Sequence, residues 1–390
     1  MPRTIHRDRF TWLAYLSLAF YGYFLNVLGP ITPFLKEELK LTYTVSSFHF
    51  TAFAVGILLI GLGGHILLRR IGSRRSLWLG LFGMSLSVLL LLIGRTPIIT
   101  IGASFLMGLI GSLILAIVPA ALSDQHGESQ AVALSEANVT ASLFATSAPL
   151  LVGWFAHSVG NWRWALGIIA CTPILMFLIF GKDTSPSAAS VTAEPTQTDR
   201  PLPSLFWIYW LGIVLGVSVE FCMVFWSADY LEQVLGLIKA DAAQAVSLFL
   251  AAMILGRLLG GRLVQRFSTR IVVAISVILA GIGFVLFWKS LNSLLALSGL
   301  FLTGLGVANF YPLLLSLAMH AAEGNTVQAG ARTTLASGTA ILALPLALGR
   351  LADAIGIRSA YGIVLLLLAG VFLINQLAGH TVQQPRSVTE

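Results

Sequence analysis

Two ionisable side chains stand inside runs that are otherwise fit for lipid. Glu220 sits in GVSVEFCMVFW, residues 216–226, and Arg257 lies in LGRLLGGR. A charge at the middle of a bilayer costs about 2.5–3.5 kcal/mol on insertion scales. Glu220 therefore needs a wet cavity, a basic partner or a bound proton. A proton carrier has that chemistry, so Glu220 is read as a proton-coupling and substrate-binding residue. The competing reading is a fixed structural hydrogen bond. Arg257 is permanently charged; it can bind an anion, hold an acid in place, or serve structure by snorkelling. It is read as a gating residue. Glu136, in ALSEANV, is a second acid, a turn or two inside an apolar run.

Weaker candidates surround these. Asn26 and Asn309 are deep amides, suited either to a substrate or to a helix–helix hydrogen bond. Tyr21, Tyr23, Phe24, Phe310 and Tyr311 can stack on a ring-bearing substrate or simply pack. Small and polar residues recur at helical spacing in four runs. One holds Tyr15, Gly22, Asn26 and Pro30; another Ser104, Gly108, Gly111 and Ser112. A third holds Gly212, Gly216, Glu220, Met223 and Ser227; the last holds Gly306, Asn309 and Ser316. The expected substrate-binding set is Tyr23, Asn26, Ser112, Glu220, Met223, Asn309 and Tyr311.

Other chemistry is missing from the pattern. Cys171 and Cys222 sit in apolar runs without metal-ligand spacing. GLGG and LLGG read as close helix packing, since no strand precedes them and no Lys-Ser/Thr pair follows. No catalytic triad is visible. An enzyme, a metal site and a cofactor are not expected.

The elements that must position these residues are membrane spans. Hydrophobic residues make up 57% of the chain and charged residues 10%, against about 25% charged in soluble chains. The apolar residues form runs of about 20, enough to cross a bilayer as helix. Twelve spans are expected, near 10–30, 46–68, 76–93, 98–121, 131–155, 163–181, 204–226, 243–264, 270–288, 293–316, 329–351 and 358–378. The first is read as retained, because it is too long for a signal core and ends at Pro30 and Pro33.

The net charge of +7 is not a nucleic-acid signal here, because basic residues of membrane proteins gather on cytoplasmic loops. With the N-terminus inside, that side holds Arg69, Arg70, Arg74, Arg75, Arg262 and Arg266, among others. Both termini are therefore expected in the cytoplasm. Residues 182–203, rich in Ser, Thr, Pro and Ala, read as a flexible linker. The expected units are residues 1–181 and 204–380, six helices each, with a cytoplasmic tail over 381–390.

The two units look duplicated. PLLVGWFAHSVGNWRWALGI starts at Pro149 and PLALGRLADAIGIRSAYGI at Pro345. Gly63–Gly64 recurs as Gly260–Gly261, and Gly108 as Gly304, all offset by roughly 196 residues. Chance matches would scatter, whereas a shared offset argues for duplication. Two six-helix repeats are a common transporter plan. If spans 5 and 8 meet between the halves, Glu136 and Arg257 form a gating pair. Neutralising both would then restore activity lost by neutralising either one.

Over essentially its whole length the chain resembles the major facilitator superfamily. The loop GGHILLRRIGSRRSL carries the match at Arg70, Gly72, Arg74 and Arg75. It departs from the family pattern at the acid, whose place Arg69 takes, and His65 stands where the opening glycine is expected. The repeat GGRLVQRFSTR has Gln265 at the acid's place. The resemblance implies a cytoplasmic gate around this loop, closed here without the acid, so Arg69, Arg70, Arg74, Arg262 and Arg266 are expected to gate with the helix ends. NWRWALGI before span 6 is a further match. Two drug-exporter signals fail: Ser104 stands near the place of an arginine, and Ala148 precedes Pro149 where a glycine is expected. The resemblance also implies that spans 1, 4, 7 and 10 line a central cavity.

The expected protein is an all-α membrane transporter of the bacterial cytoplasmic membrane. It moves a small, moderately hydrophobic, neutral or cationic organic molecule by alternating access, coupled to protons through Glu220. Its partners are that substrate, protons and membrane lipids, with no nucleic acid. The alternative is a non-transporting receptor or a lipid-handling protein on the same scaffold.

Overall fold

The computed structural model describes residues 6–181, 201–322 and 325–383. Most of the expected linker and most of the expected tail lie outside the described residues. Among the described residues every regular element is helical. In chain order they are α1 (Arg9–Leu39), α2 (Tyr43–Ile71), α3 (Ser73–Ile93), α4 (Pro97–His126), α5 (Gln130–Ser158), α6 (Arg163–Ala170), α7 (Thr172–Phe180), α8 (Ser204–Leu235), α9 (Lys239–Leu263), α10 (Thr269–Lys289), α11 (Ser293–Val307), α12 (Phe310–Ala321), α13 (Thr326–Ile355), α14 (Ile357–Ala360) and α15 (Ile363–Gln383).

These helices make twelve spans in two six-helix halves, α1–α7 and α8–α15. Span 6 is α6 with α7, span 10 is α11 with α12, and span 12 is α14 with α15. The first two breaks fall just before Pro173 and Pro312, which lack the N–H that the ladder requires. Leu86, Ile93, Leu178, Ile278 and Leu366 face outward, as lipid-facing positions must.

Spans 1 and 7 run well past their expected ends. Pro30 and Pro33 lie inside α1 without stopping it, and the helix ends where Lys40 turns left-handed at φ 51°. The eighth helix runs to Leu235, nine residues beyond Trp226, and is capped by Gly236 at φ 70°. Both extensions are consequential, because they carry charged groups into one end of the molecule.

The halves meet at α1 with α8 and along two lateral seams, α2 with α13 and α5 with α9. The duplication is visible in the seams themselves. Ser247 of α9 donates to the Thr146 carbonyl of α5 at 3.0 Å. Thr51 of α2 donates to the Leu342 carbonyl of α13 at 3.4 Å. Each accepting carbonyl lies three residues before a helix-interior proline, Pro149 or Pro345, where the ladder is already interrupted. Four residues after each proline comes a glycine at the seam. A methyl on Gly153 would fall 2.3 Å from the Ala240 carbonyl oxygen. One on Gly349 would fall 1.8 Å from the Ser47 hydroxyl.

Candidate functional site

A cavity of ≈140 Å³ lies between the halves, beside the α5–α9 seam. Gly22 and Asn26 come from α1, and Asn138, Ser142 and Thr146 from α5. Glu220 projects from α8, and Leu250, Met253, Ile254 and Arg257 from α9. The Ser247–Thr146 hydrogen bond stands next to it.

Glu220 and Arg257 face each other across this space. Arg257 Nη2 is 4.0 Å from Glu220 Oε1, and their side chains keep 44% and 20% of their exposure. That distance is an ion pair at its limit and too long for a hydrogen bond. Among the described residues neither group makes a hydrogen bond to protein. Tyr311 of α12 is within electrostatic reach of Glu220. The pair belongs to one seam only: in the duplication Phe24 stands for Glu220 at an offset of roughly 196, and Ile60 for Arg257 when Gly63–Gly64 is set on Gly260–Gly261. The shared scaffold therefore does not require it.

One end of the molecule is sealed. Lys36 of α1 forms an ion pair with Asp229 of α8, whose side chain is fully buried. The Lys36 ammonium also lies 4.0 Å from the centre of the Tyr43 ring. Lys239 of α9 pairs with Glu37 of α1 and lies 3.6 Å from Glu232 of α8. Asp353, at the end of α13, accepts hydrogen bonds from the backbone of Tyr43 and Thr44, both at 2.8 Å. It thus caps α2 from the opposite half. Phe50 of α2 stacks on Phe225 of α8 with ring centres 4.1 Å apart. Gly29 lets α1 approach α8 so closely that a methyl there would lie 2.1 Å from the Val224 carbonyl oxygen.

At the other end, methyls built on Gly61 and Gly63 of α2, Gly261 of α9 and Gly330 of α13 would meet nothing within 4 Å. Leu62, Ile66, Leu258 and Leu259 are exposed there. The expectation that GLGG and LLGG pack helices closely is met chiefly at Gly260, against Asn309.

Glu136 and Arg257 do not pair in this structure. Arg7 holds Glu136 through two hydrogen bonds, 2.8 Å from Nε and 2.6 Å from Nη2. Tyr15 adds a third at 3.0 Å. These contacts lie within the N-terminal half, so Glu136 ties the chain start to α5 and leaves Arg257 to Glu220.

Of the expected binding set, Asn26 and Glu220 reach the cavity. Tyr23 spends its hydroxyl on the Ala165 carbonyl at 2.9 Å and is fully buried. Ser112 bonds its own helix at Gly108, and Met223 is fully buried. Asn309 donates to the Gly256 carbonyl at 3.2 Å, inside the C-terminal half. Tyr311 is half-exposed outside the lining.

The small-residue stripes explain these misses. In α4, Gly108 and Gly111 face Phe53 and Met84. Gly212 and Gly216 of α8 face Leu314 and Phe310. Small residues bring helices together within each half, rather than opening a lumen. The stripes reach the cavity at Gly22 and Asn26 of α1 and at Glu220 of α8.

The expected gating arginines also differ in place. Arg74 donates to the Gly181 carbonyl within its own half. Arg70, Arg262 and Arg266 are exposed at the end away from Lys36, and the Arg69 side chain lies outside the described residues. NWRW has a local role: Trp162 and Arg163 both bond Glu38 of α1, at 3.0 and 2.9 Å.

Asn138, Ser142 and Thr146 were missed as cavity residues. Their spacing along one face of α5, next to an interior proline, was the available signal. Asp229 was missed because span 7 was ended too early; Gly236, a helix-stop residue, would have placed it inside.

Comparisons with known proteins agree on the fold. The sequence profile of the Major Facilitator Superfamily matches residues 14–339. An uncharacterised MFS-type transporter of Yersinia pestis is 26% identical over 369 residues, 91% of this chain and 92% of that one. The glucose/mannose transporter GlcP of Bacillus subtilis (strain 168) is 26% identical over 337 residues, 76% of this chain and 78% of its own. A solved bacterial homologue of the human lysosomal transporter Spinster, inward-facing and unoccupied, superposes with a TM-score of 0.78 at 14% identity. The match covers 95% of this chain and 96% of that one.

Proposed function

The chain belongs to the major facilitator superfamily of membrane transporters, and we propose that it is a proton-coupled secondary transporter working by alternating access. The observation that carries this reading is the loose Glu220–Arg257 pair in a cavity between the halves, with one end of the molecule sealed by the Lys36–Asp229 pair. The end opposite the seal is the cytoplasmic one, since it carries Arg70, Arg74, Arg262 and Arg266. The membrane is the bacterial cytoplasmic membrane, and both termini lie inside the cell.

Six lining side chains are polar: Asn26, Asn138, Ser142, Thr146, Glu220 and Arg257. They suit a small organic molecule more polar than composition alone suggested. Asn26 and Asn138 can orient its hydroxyl or carbonyl groups. Glu220 takes up or releases a proton, which makes or breaks its attraction to Arg257. The halves then rock about the two seams, so that the cavity faces each side in turn.

The test is flux through purified protein in liposomes with an imposed pH gradient. Substrate accumulation driven by the gradient, and its loss in Glu220→Gln, is the expected result. Accumulation that still follows the gradient in Glu220→Gln removes Glu220 from the coupling.

A further inference from the structure

We propose that the cargo is an organic monoanion, a monocarboxylate above all, carried together with one proton. The proposal rests on the proton-coupled reading of the same cavity and names its substrate class.

Two observations carry it. The first is the idle guanidinium. Arg257 has five N–H donors in a planar fork, donates no hydrogen bond among the described residues, and lines the cavity with 44% of its side chain exposed. A guest carboxylate can take two of those donors side by side. The second is the slack between Arg257 and Glu220. At 4.0 Å the pair leaves its contact unfinished. A proton on Glu220 removes the competing charge and frees the fork.

Counting charge in the cavity gives the same answer. Without cargo, ionised Glu220 and Arg257 sum to zero. With a proton on Glu220 and a monocarboxylate on Arg257, the sum is again zero. Both forms can pass through a closed, poorly hydrated state without a net charge, which such a state penalises. A neutral cargo carried with a proton would leave one positive charge, and a dianion would leave one negative charge. The groups facing Glu220 from the packed elements are Arg257 of α9 and Tyr311 of α12. The α1 and α5 linings supply Asn26, Asn138, Ser142 and Thr146, none of them charged. Glu136 of α5 is engaged by Arg7. The one bond made and broken is the O–H of Glu220: a proton from the outer solution adds to one carboxylate oxygen on loading and passes to cytoplasmic water on release.

The experiment uses the full chain in proteoliposomes, with labelled gluconate and lactate as acids and glucose as the neutral counterpart of gluconate. Acidic exterior and neutral interior should drive uptake of at least one acid and not of glucose. The initial rate should not change when a potassium–valinomycin potential is applied. Both acids should be tested as stabilisers of the detergent-solubilised protein at acidic and alkaline pH, with stabilisation expected on the acidic side. Arg257→Gln should lower acid uptake by at least about tenfold. Glu220→Gln should still be stabilised by the acid, without gradient-driven accumulation.

Gradient-driven glucose uptake, or acid uptake that carries current, overturns the monoanion proposal and leaves proton-coupled transport standing. Acid uptake indifferent to the pH gradient overturns the proton coupling and leaves an anion site. No uptake and no stabilisation with either acid overturns the proposal.

Discussion

Lys36 and Asp229 form a buried ion pair between the two halves, at the end of the molecule that is closed. Neither partner lies in the apolar stretch that first identifies its helix. Removing one partner of such a pair costs about 3–5 kcal/mol, because the other is left buried and unpaired. Asp229→Asn should therefore lower stability sharply and populate forms open at the Lys36 end. Asp229→Leu with Lys36→Met should recover much of the stability. Thermal melts and thiol labelling of a cysteine placed at Ser47 read both effects. Equal melting of single and double variants would count against the latch.

Gly153→Ala should loosen the α5–α9 seam, since the new methyl meets the Ala240 carbonyl oxygen at 2.3 Å and backbone cannot yield as a side chain can. The expected outcome is faster labelling at the sealed end. Gly261→Ala, built into open space, is the control and should behave like the parent.

Glu136 should couple energetically to Arg7 and not to Arg257. A double-mutant cycle on melting temperature tests this. Glu136→Gln should cost less in an Arg7→Gln background, where only the Tyr15 bond is left to lose, while its effect should stay whole in an Arg257→Gln background.

Asp8 gives a pH signature. Burial opposes ionisation, but hydrogen bonds from Thr11 and Gln125, with His126 nearby, outweigh it and hold the carboxyl below its ordinary range. Asp8 caps α1 through the Thr11 amide at 2.8 Å. A lowered folded-state value means stability that is present above the usual Asp range and is lost as pH falls through the lowered one. Asp8→Ala should cost about 1 kcal/mol at neutral pH and flatten the acid limb of a stability–pH curve. An unchanged acid limb would mean that the cap carries none of it.

The spans were legible because apolar runs of spanning length have few other uses, and the duplication because its offset repeats. Glu220 was legible because a lone acid in such a run is costly anywhere but at a polar site. The partner of Arg257 was not: Glu136 and Glu220 were both available, and only the capture of Glu136 by Arg7 separates them. Small-residue stripes misled for a related reason. At helical spacing, Gly108 and Gly212 signal close approach by something, and a neighbouring helix satisfies that as well as a lumen does. Asp229 and Asp353 stayed hidden because their value depends on which helix end lies opposite, a relation that only the folded halves create.

The hydroxyl-to-carbonyl contacts at Ser247–Thr146 and Thr51–Leu342 have a mechanical consequence. They sit in the two seams and repeat one another, so in the rocking motion proposed above a line through both would serve as an axle. A rigid tilt about it would part the Lys36 end, bring the arginine-rich end together and leave those two bonds nearly unstretched. Such a rocker would change sides without melting any helix, its stroke limited by the close contacts of Gly153 with Ala240 and of Gly349 with Ser47.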